Sequence, residues 1–375
     1  EGDGRYEKAR ELFRNWVDGE ILVEDPKPAI YIHEQYYIDW EGYRRLRRGF
    51  IALLKLEEFG EGTVFPHEKT FPKHKQDRLK LFRATGAQMN PVFSIFPDME
   101  GSVEPILKRA AENNLPDLNF RYHDGVTNSL WKITDETTIK SIIKAMEHES
   151  VFIADGHHRY ETSLNLSREM RDKVPAGQDS PYDYTLMYFV SMEDAGLTVL
   201  SAHRMLKDLP DFSESRALEL LSKNFVARKS NRNDAMEVLS RAAQAHVMVF
   251  QVGARYYILR PCEDCLTNNE NLMQLHESLR DLEVTICREL AVRPLLGGKL
   301  DNLLDHINYE VDPMQVANAV ETGQYQAALY LPPTPIRQMT RVARAHEVMP
   351  HKSTYFFPKL LTGLVIHRFS NNNND

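Results

Sequence analysis

Asp155-Gly156-His157-His158-Arg159 sets a carboxylate, two imidazoles and a guanidinium around one glycine. The apolar residues before it, Val151 to Ala154, read as a buried strand, and the polar stretch after it has helical character. A strand that turns on glycine into a helix leaves the first backbone N–H groups of the helix without intrahelical partners. Those groups, the helix dipole and an adjacent cation form a seat for phosphate. There the backbone after Gly156, with His157, His158 and Arg159, would hold phosphate, and Asp155 would act as a base or contact Mg2+. His158 is also a candidate catalytic group. Without chemistry, the same turn reads as Asp155 capping a helix, worth about 1 kcal/mol, with the histidines packing against it.

Three further blocks could serve such a turn. In Val64 to Lys73, Glu68 lies beside His67 and Lys69 and can take a proton from a hydroxyl; the plain alternative is a solvated loop. Gly196 to Arg204 reads as a second apolar strand running into His203-Arg204, and two His-Arg pairs could converge on one anion. Met349 to Lys359 carries Lys352, Ser353, Thr354, Tyr355 and Lys359, enough cations and hydroxyls to hold phosphate, or else a polar turn packed by aromatics. Lys352-Ser353-Thr354 has no glycine-rich loop before it, so it is not a Walker site. A metal-dependent hydrolase built on Asp155, His157, His158 and His203 is a weaker reading, because adjacent histidines rarely aim at one ion.

The elements expected to carry these groups alternate in type. An amphipathic helix covers residues 5–19, with strands at 29–37 and 49–56. Helices are expected near 75–85, 101–114 and 135–149, and strands at 91–96, 128–133 and 184–192. From about 205 the texture becomes α+β, with helices at 213–223 and 232–244 and a hairpin of strands at 246–252 and 256–260. Long helical patterns cover 271–293 and 312–321, a strand is expected at 326–331, and a last helix at 336–345. The basic run Tyr43-Arg44-Arg45-Leu46-Arg47-Arg48 reads as a solvated helix face.

Composition sets the outer limits. A chain of 375 residues exceeds what one core usually holds, so two domains are expected. A formal charge of −8 argues against a general nucleic-acid binder. No apolar run approaches the roughly 20 residues that span a bilayer. Three cysteines make no disulfide framework, and Cys262-Glu263-Asp264-Cys265 is a lone CxxC with a weak claim to zinc or redox chemistry. A reducing cytoplasm is the simplest location. The chain starts at Glu1-Gly2 rather than at methionine, and some natural N-terminal sequence is expected to be absent.

Ala154 to Thr162 resembles the hallmark of a large bacterial and archaeal family of unknown function. The resemblance covers most of the chain: His67-Glu68-x-Thr70 with Asp77-Arg78, Leu130-Trp131-x-Ile133-x-Asp135, Gly196-Leu197 with His203-Arg204, and the block from Met349 to Lys359. It departs at Asn128, where a histidine is common, at His351, where a second proline is common, and in lacking a proline-rich N-terminal segment. More distantly, the Asp155–Arg159 turn is similar to the phosphate-binding turn of the ParB/sulfiredoxin superfamily. Sulfiredoxin chemistry needs a cysteine where this chain has His157, and ParB-type partitioning usually adds a basic helical module. The free serine kinases carry an Asp-Gly-x-His-Arg version.

The resemblance implies an α+β (mixed α/β) fold, with a ParB/sulfiredoxin-like domain over 1–204, a C-terminal α+β domain over 205–370 that folds back on the site, and a disordered tail at 371–375. It implies a phosphotransferase acting on a hydroxyl such as that of free L-serine, with Mg2+ and with ATP, ADP, CTP or pyrophosphate as phosphate ligand. Its alternative is a ParB-like CTP-binding switch. On that reading Asp155, Glu68 and His158 are catalytic. Gly156, His157, His158, Arg159, His203, Arg204, Lys352, Ser353, Thr354 and Lys359 hold the phosphates.

Overall fold

The computed structural model describes residues 2–369, apart from 41, 172, 174, 176, 177, 243–245, 299 and 301, and apart from the side chains of Lys73 and His74. The tail at 371–375 lies outside the described residues. The chain forms two compact units, Glu1–Thr198 with Pro358–Asp375, and Val199–Phe357. The division thus falls at 198/199 rather than 204/205, and the described residues 358–369 belong with the first unit.

The first unit contains α1 (Gly4–Asp18), β1 (Ile30–Ile38), β2 (Arg44–Lys55), β3 (Val64–Phe65), α2 (Pro72–Thr85), β4 (Ala87–Gln88), β5 (Val92–Phe96) and α3 (Glu104–Glu112). It continues with β6 (Leu118–Arg121), β7 (Thr127–Ile133), α4 (Glu136–Met146), β8 (Val151–Asp155), α5 (His157–Arg171) and β9 (Tyr184–Ser191). Eight strands form one sheet in the order β3-β8-β5-β9-β2-β1-β7-β6. The pairs β3/β8 and β5/β9 are parallel. Ile30, Ile32, Phe50, Val151, Ile153, Met187 and Phe189 face a core completed by Leu107 and Ala111 of α3, Ile142 of α4, and Tyr160 and Leu164 of α5. The helical residues recur at spacings of four, the period that keeps side chains on one face. At α4, Asp135 caps the helix by accepting the Thr138 N–H at 2.8 Å.

The basic run at 43–48 is not a helix. It lies largely on β2, paired with β1 through Gln35↔Arg47 and Tyr37↔Arg45. The apolar residues that follow it, and the strand partners on both sides, override the helical reading of its charges. Arg47 is fully buried; it donates to Gln35 and to the Pro358 carbonyl at 2.6 Å and lies over the Phe93 ring at 4.7 Å.

The segment after Pro358 is strapped to the same unit. His367 and Arg368 pair with Gln88 and Ala87, and the Gly363 and Phe369 N–H groups donate to Met89 and Gly86 carbonyls, both at 2.8 Å. Phe369 is buried against Phe82 and Leu166.

The second unit is α+β, as expected. Its six-stranded sheet runs Phe225–Ser230, Arg255–Pro261, Met248–Val252, Ala327–Tyr330, His203–Leu206, Ile307–Glu310. Residues of Arg232–Ser240 and Pro313–Glu321 pack into its core. The long helix expected over 271–293 begins instead as short turns at Glu270–Met273 and Glu277–Arg280, and is continuous only from Glu283, through a π-helical stretch at Cys287–Val292, to Leu295. Side chains supply the breaks: His276 Nδ1 accepts the Ser278 N–H at 3.2 Å, and Arg280 donates to the Leu275 and Met273 carbonyls. A guanidinium that satisfies carbonyls at a helix end favours termination over propagation. The strand expected at 196–204 likewise divides into Thr198–Leu200 and His203–Leu206.

Candidate functional site

Between β8 and α5, Gly156 has φ +98°, a conformation that side chains with a Cβ rarely adopt. A Cβ there would also lie 2.6–2.8 Å from the Arg159 guanidinium, so the turn needs glycine for two separate reasons. The first helical bonds run from the Arg159 and Tyr160 N–H groups to the Gly156 carbonyl, at 2.8 and 3.1 Å. Arg159 folds back over the glycine, donating to the Asn90 side chain, the Pro91 carbonyl and Asp155 Oδ2, the last at 3.0 Å. Burial lowers the Arg159 pKa, Asp155 opposes that, and Arg78 nearby adds to the lowering.

Asp155 owes its direction to a bulge. Phe93 pairs with Asp155 but the next residue, Ser94, pairs with Ile153, so Ala154 is the extra residue of β8. One extra residue turns the following side chain to the other face of the strand. Ile153 points into the core, whereas the Asp155 carboxylate is 42% exposed and meets Lys359 Nζ at 3.4 Å. The strap after Pro358 holds that lysine, and its backbone carbonyl accepts from Gln35. Asp155 is therefore bracketed by two cations, Arg159 and Lys359, at the amino end of a 15-residue helix.

The two histidines of the turn hold a loop. His157 Nε2 accepts the His67 N–H at 3.2 Å, and His158 Nε2 accepts the Phe71 N–H at 2.9 Å. Thr70 donates to Glu161, which also pairs with Lys75 at 3.2 Å. Residues 67–71 are thus pinned by three side chains from the first two turns of α5. Burial pushes the His67 pKa down to about 4. Burial, helped by His67, His158 and Arg159, pushes His157 well below its ordinary value. His157 is therefore neutral at pH 7, and accepting at Nε2 leaves its proton on Nδ1. That nitrogen faces Glu68 Oε2 at 3.7 Å. Tyr160 secures a third segment: its hydroxyl bonds both the N–H and the carbonyl of Glu57, each at 3.0 Å.

His203, Arg204, Lys352, Ser353 and Thr354 belong to the second unit, where two of the sequence blocks meet. Arg204 donates to the Ala202 carbonyl and to the Lys352 carbonyl, the latter at 3.3 Å, and lies over the Tyr309 ring. His203 is buried, which pushes its pKa to about 3, and its Nδ1 accepts the Leu331 N–H at 3.4 Å. Ser353 and Thr354 are buried, and the Ser353 hydroxyl donates to the Pro350 carbonyl. Lys352 is exposed, at φ +55°.

All three histidines of the metal-hydrolase set spend a ring nitrogen on a backbone N–H. Among the described residues no group of three or more His, Cys, Asp or Glu side chains is arranged to hold a metal. The cysteine expectation is corrected, because Cys262 and Cys265 form a disulfide. The turn that starts at Cys262 brings the two together, since the Cys265 N–H donates to the Cys262 carbonyl at 3.0 Å. Cys287 is a buried free thiol pushed up to about 12. Among the described residues no helix is long and apolar enough to cross a membrane. Asn90 escaped the sequence reading, which only placed a strand at 91–96; its amide bridges Arg159 and the Thr362 hydroxyl, the second contact at 2.8 Å.

No curated protein matches the sequence. Solved structures similar to this one include a conserved hypothetical protein from Pyrococcus furiosus, 12% identical, with a TM-score of 0.41 and coverage of 83% of this chain and 93% of that one. A free serine kinase in complex with AMP is 12% identical, with a TM-score of 0.39 and coverage of 82% and 86%. SbnI with a C-terminal truncation, from Staphylococcus aureus, is 9% identical, with a TM-score of 0.40 and coverage of 83% and 85%. The model of the family described as "Protein of unknown function (DUF1015)" matches residues 1–285 of the 375, and the chain belongs to that family.

Proposed function

We propose that the protein is a small-molecule phosphotransferase that seats the phosphates of its donor at the amino end of α5. The observation that carries this reading is the bracketing of Asp155 by Arg159 and Lys359 at that helix end, at 3.0 and 3.4 Å. Cations and a helix dipole are what a transferring phosphoryl group needs, because its catalysis is chiefly positioning and charge stabilisation. ATP, ADP, CTP and pyrophosphate are the candidate donors. The acceptor is a small hydroxyl compound; free L-serine comes from the resemblance of the turn to that of the free serine kinases. In the transfer the acceptor oxygen bonds to phosphorus as the bond to the donor's bridging oxygen breaks, and a carboxylate takes the hydroxyl proton. Asp155 and Glu68 are the available carboxylates. Mg2+ carried on donor phosphates usually needs only one or two protein carboxylates, and Asp155 suits that contact. When bound, it would neutralise phosphate charge.

A second reading, a CTP-binding switch without transfer, draws on the same geometry. A carboxylate held by two cations is a weak base. Incubating the protein and Mg2+ with L-serine and each donor in turn, then assaying O-phosphoserine by mass spectrometry, separates the two. Phosphoserine with at least one donor is expected. None with any donor sinks the serine-kinase version, and tight CTP binding in calorimetry would then favour the switch.

A further inference from the structure

His157 is buried on all sides, and its Nδ1 has no hydrogen-bond partner among the described residues. Its Nε2 is occupied by the His67 N–H, so the unmatched atom is a donor. Buried donors without acceptors are rare in folded proteins and mark strain or function. The group this donor faces is the carboxylate of Glu68, the residue next to the one that anchors the ring, at 3.7 Å. Closing that gap to hydrogen-bond length takes a movement of about 1 Å. The loop cannot drift far to either side, because His158 holds Phe71 and Glu161 holds Thr70.

We propose that His157 is a positioning residue for Glu68: its Nδ1–H closes onto the Glu68 carboxylate when substrates bind and aims that carboxylate at the acceptor hydroxyl. Glu68, rather than Asp155, is then the base that takes the hydroxyl proton. The proposal rests on the phosphotransfer reading above. Asp155 is engaged by two cations, and the donor that His157 offers is neutral, so closing onto it orients Glu68 without taking its proton. Neither histidine of the turn then serves as a phosphate ligand through its Nε2; His157 works through the loop.

The test uses His157→Gln, which offers an amide oxygen to the His67 N–H but removes the Nδ1 donor, together with Glu68→Gln and the double variant. With the wild-type donor and L-serine, E68Q is expected to lower kcat by about 10^2–10^4-fold. H157Q is expected to lower kcat about 10-fold or more while the KM for the donor stays within about twofold. The double variant is expected to be no slower than E68Q, since a positioner has nothing to act on once the base is gone. Independent losses that multiply, or an H157Q defect confined to KM, would overturn the proposal. Long-range 1H–15N spectra of the His157 ring are a readout independent of turnover. The Nδ1–H tautomer is expected, with a resonance that moves in E68Q. An Nε2–H tautomer, or an Nδ1–H signal indifferent to E68Q, overturns the pairing. If the wild type transfers no phosphate, the phosphotransfer reading fails by itself and the spectra alone decide the His157–Glu68 contact.

Discussion

Replacing Gly156 by alanine tests whether the turn is built as described. The backbone at φ +98° penalises any Cβ by about 1–3 kcal/mol. The new methyl would also stand 2.6–2.8 Å from Arg159, and the guanidinium must move away from it. In moving, it weakens charge-assisted bonds to Asn90 and the Pro91 carbonyl, each worth about 1.5–3 kcal/mol when fully lost. The contact with the half-exposed Asp155 adds less than about 1 kcal/mol. Since the guanidinium can shift without losing every bond, the total expected for G156A is about 2–4 kcal/mol. Gly86 is the control. It has φ +64° and nothing within 4 Å of a built Cβ, so G86A should cost only the backbone term, about 1 kcal/mol. Trp16, Trp40 and Trp131 all lie in the first unit, so tryptophan fluorescence during urea unfolding reads that unit alone. In an R159A background the steric part vanishes, and G156A should fall to the backbone cost. Equal G156A penalties with and without Arg159 would refute the two-part account.

The same fluorescence measurement should show stability of the first unit falling with acidity. Burial holds His33 and His67 at about 4, and His157 well below its ordinary value, whereas unfolded histidine titrates near 6.5. Between pH 6.5 and 4 the unfolded state binds protons that the folded state refuses, so the stability is complete above pH 6.5 and is lost as pH falls toward 4. Three such groups give a slope on the order of 4 kcal/mol per pH unit; a flat profile from pH 7 to 5 would refute the buried neutral assignment. Lys359→Glu should weaken donor binding in calorimetry by about 10-fold or more while changing first-unit stability by less than about 1 kcal/mol, because its ion pair with Asp155 is half-exposed. A large loss of stability with unchanged affinity would make Lys359 a structural tether only. Asn90→Ala, which unlinks Arg159 from Thr362, should cost about 1–3 kcal/mol in the same unfolding assay; no change would remove Asn90 from the site's support.

What was legible in the sequence was local. The run Val151–Ala154 ahead of Asp-Gly located β8, the turn and the start of α5, and alternation located β9 and the hairpin of the second unit. These follow from side-chain period and turn chemistry, which act within a few residues. The short strands β3, β4 and β6 went unread, since two to four residues carry too little periodicity. The basic run misled because charge pattern alone does not separate a helix face from a strand whose partners bury one arginine.

The role of each side chain in the turn was decided only by tertiary structure. The string His157-His158-Arg159-Tyr160-Glu161 identifies groups capable of chemistry, and nothing in it says that all five tie down other parts of the chain. His157 and His158 reach loop residues 90 and 87 positions earlier, and Arg159 reaches Asn90 across 69. Such contacts are set by the order of strands in the sheet, by a one-residue bulge that redirects Asp155, and by a C-terminal strap that returns Lys359 to it. The chemistry-bearing residues are a property of the sequence. Which of them remain free to meet a ligand depends on hydrogen bonds between distant segments, and those exist only in the folded chain.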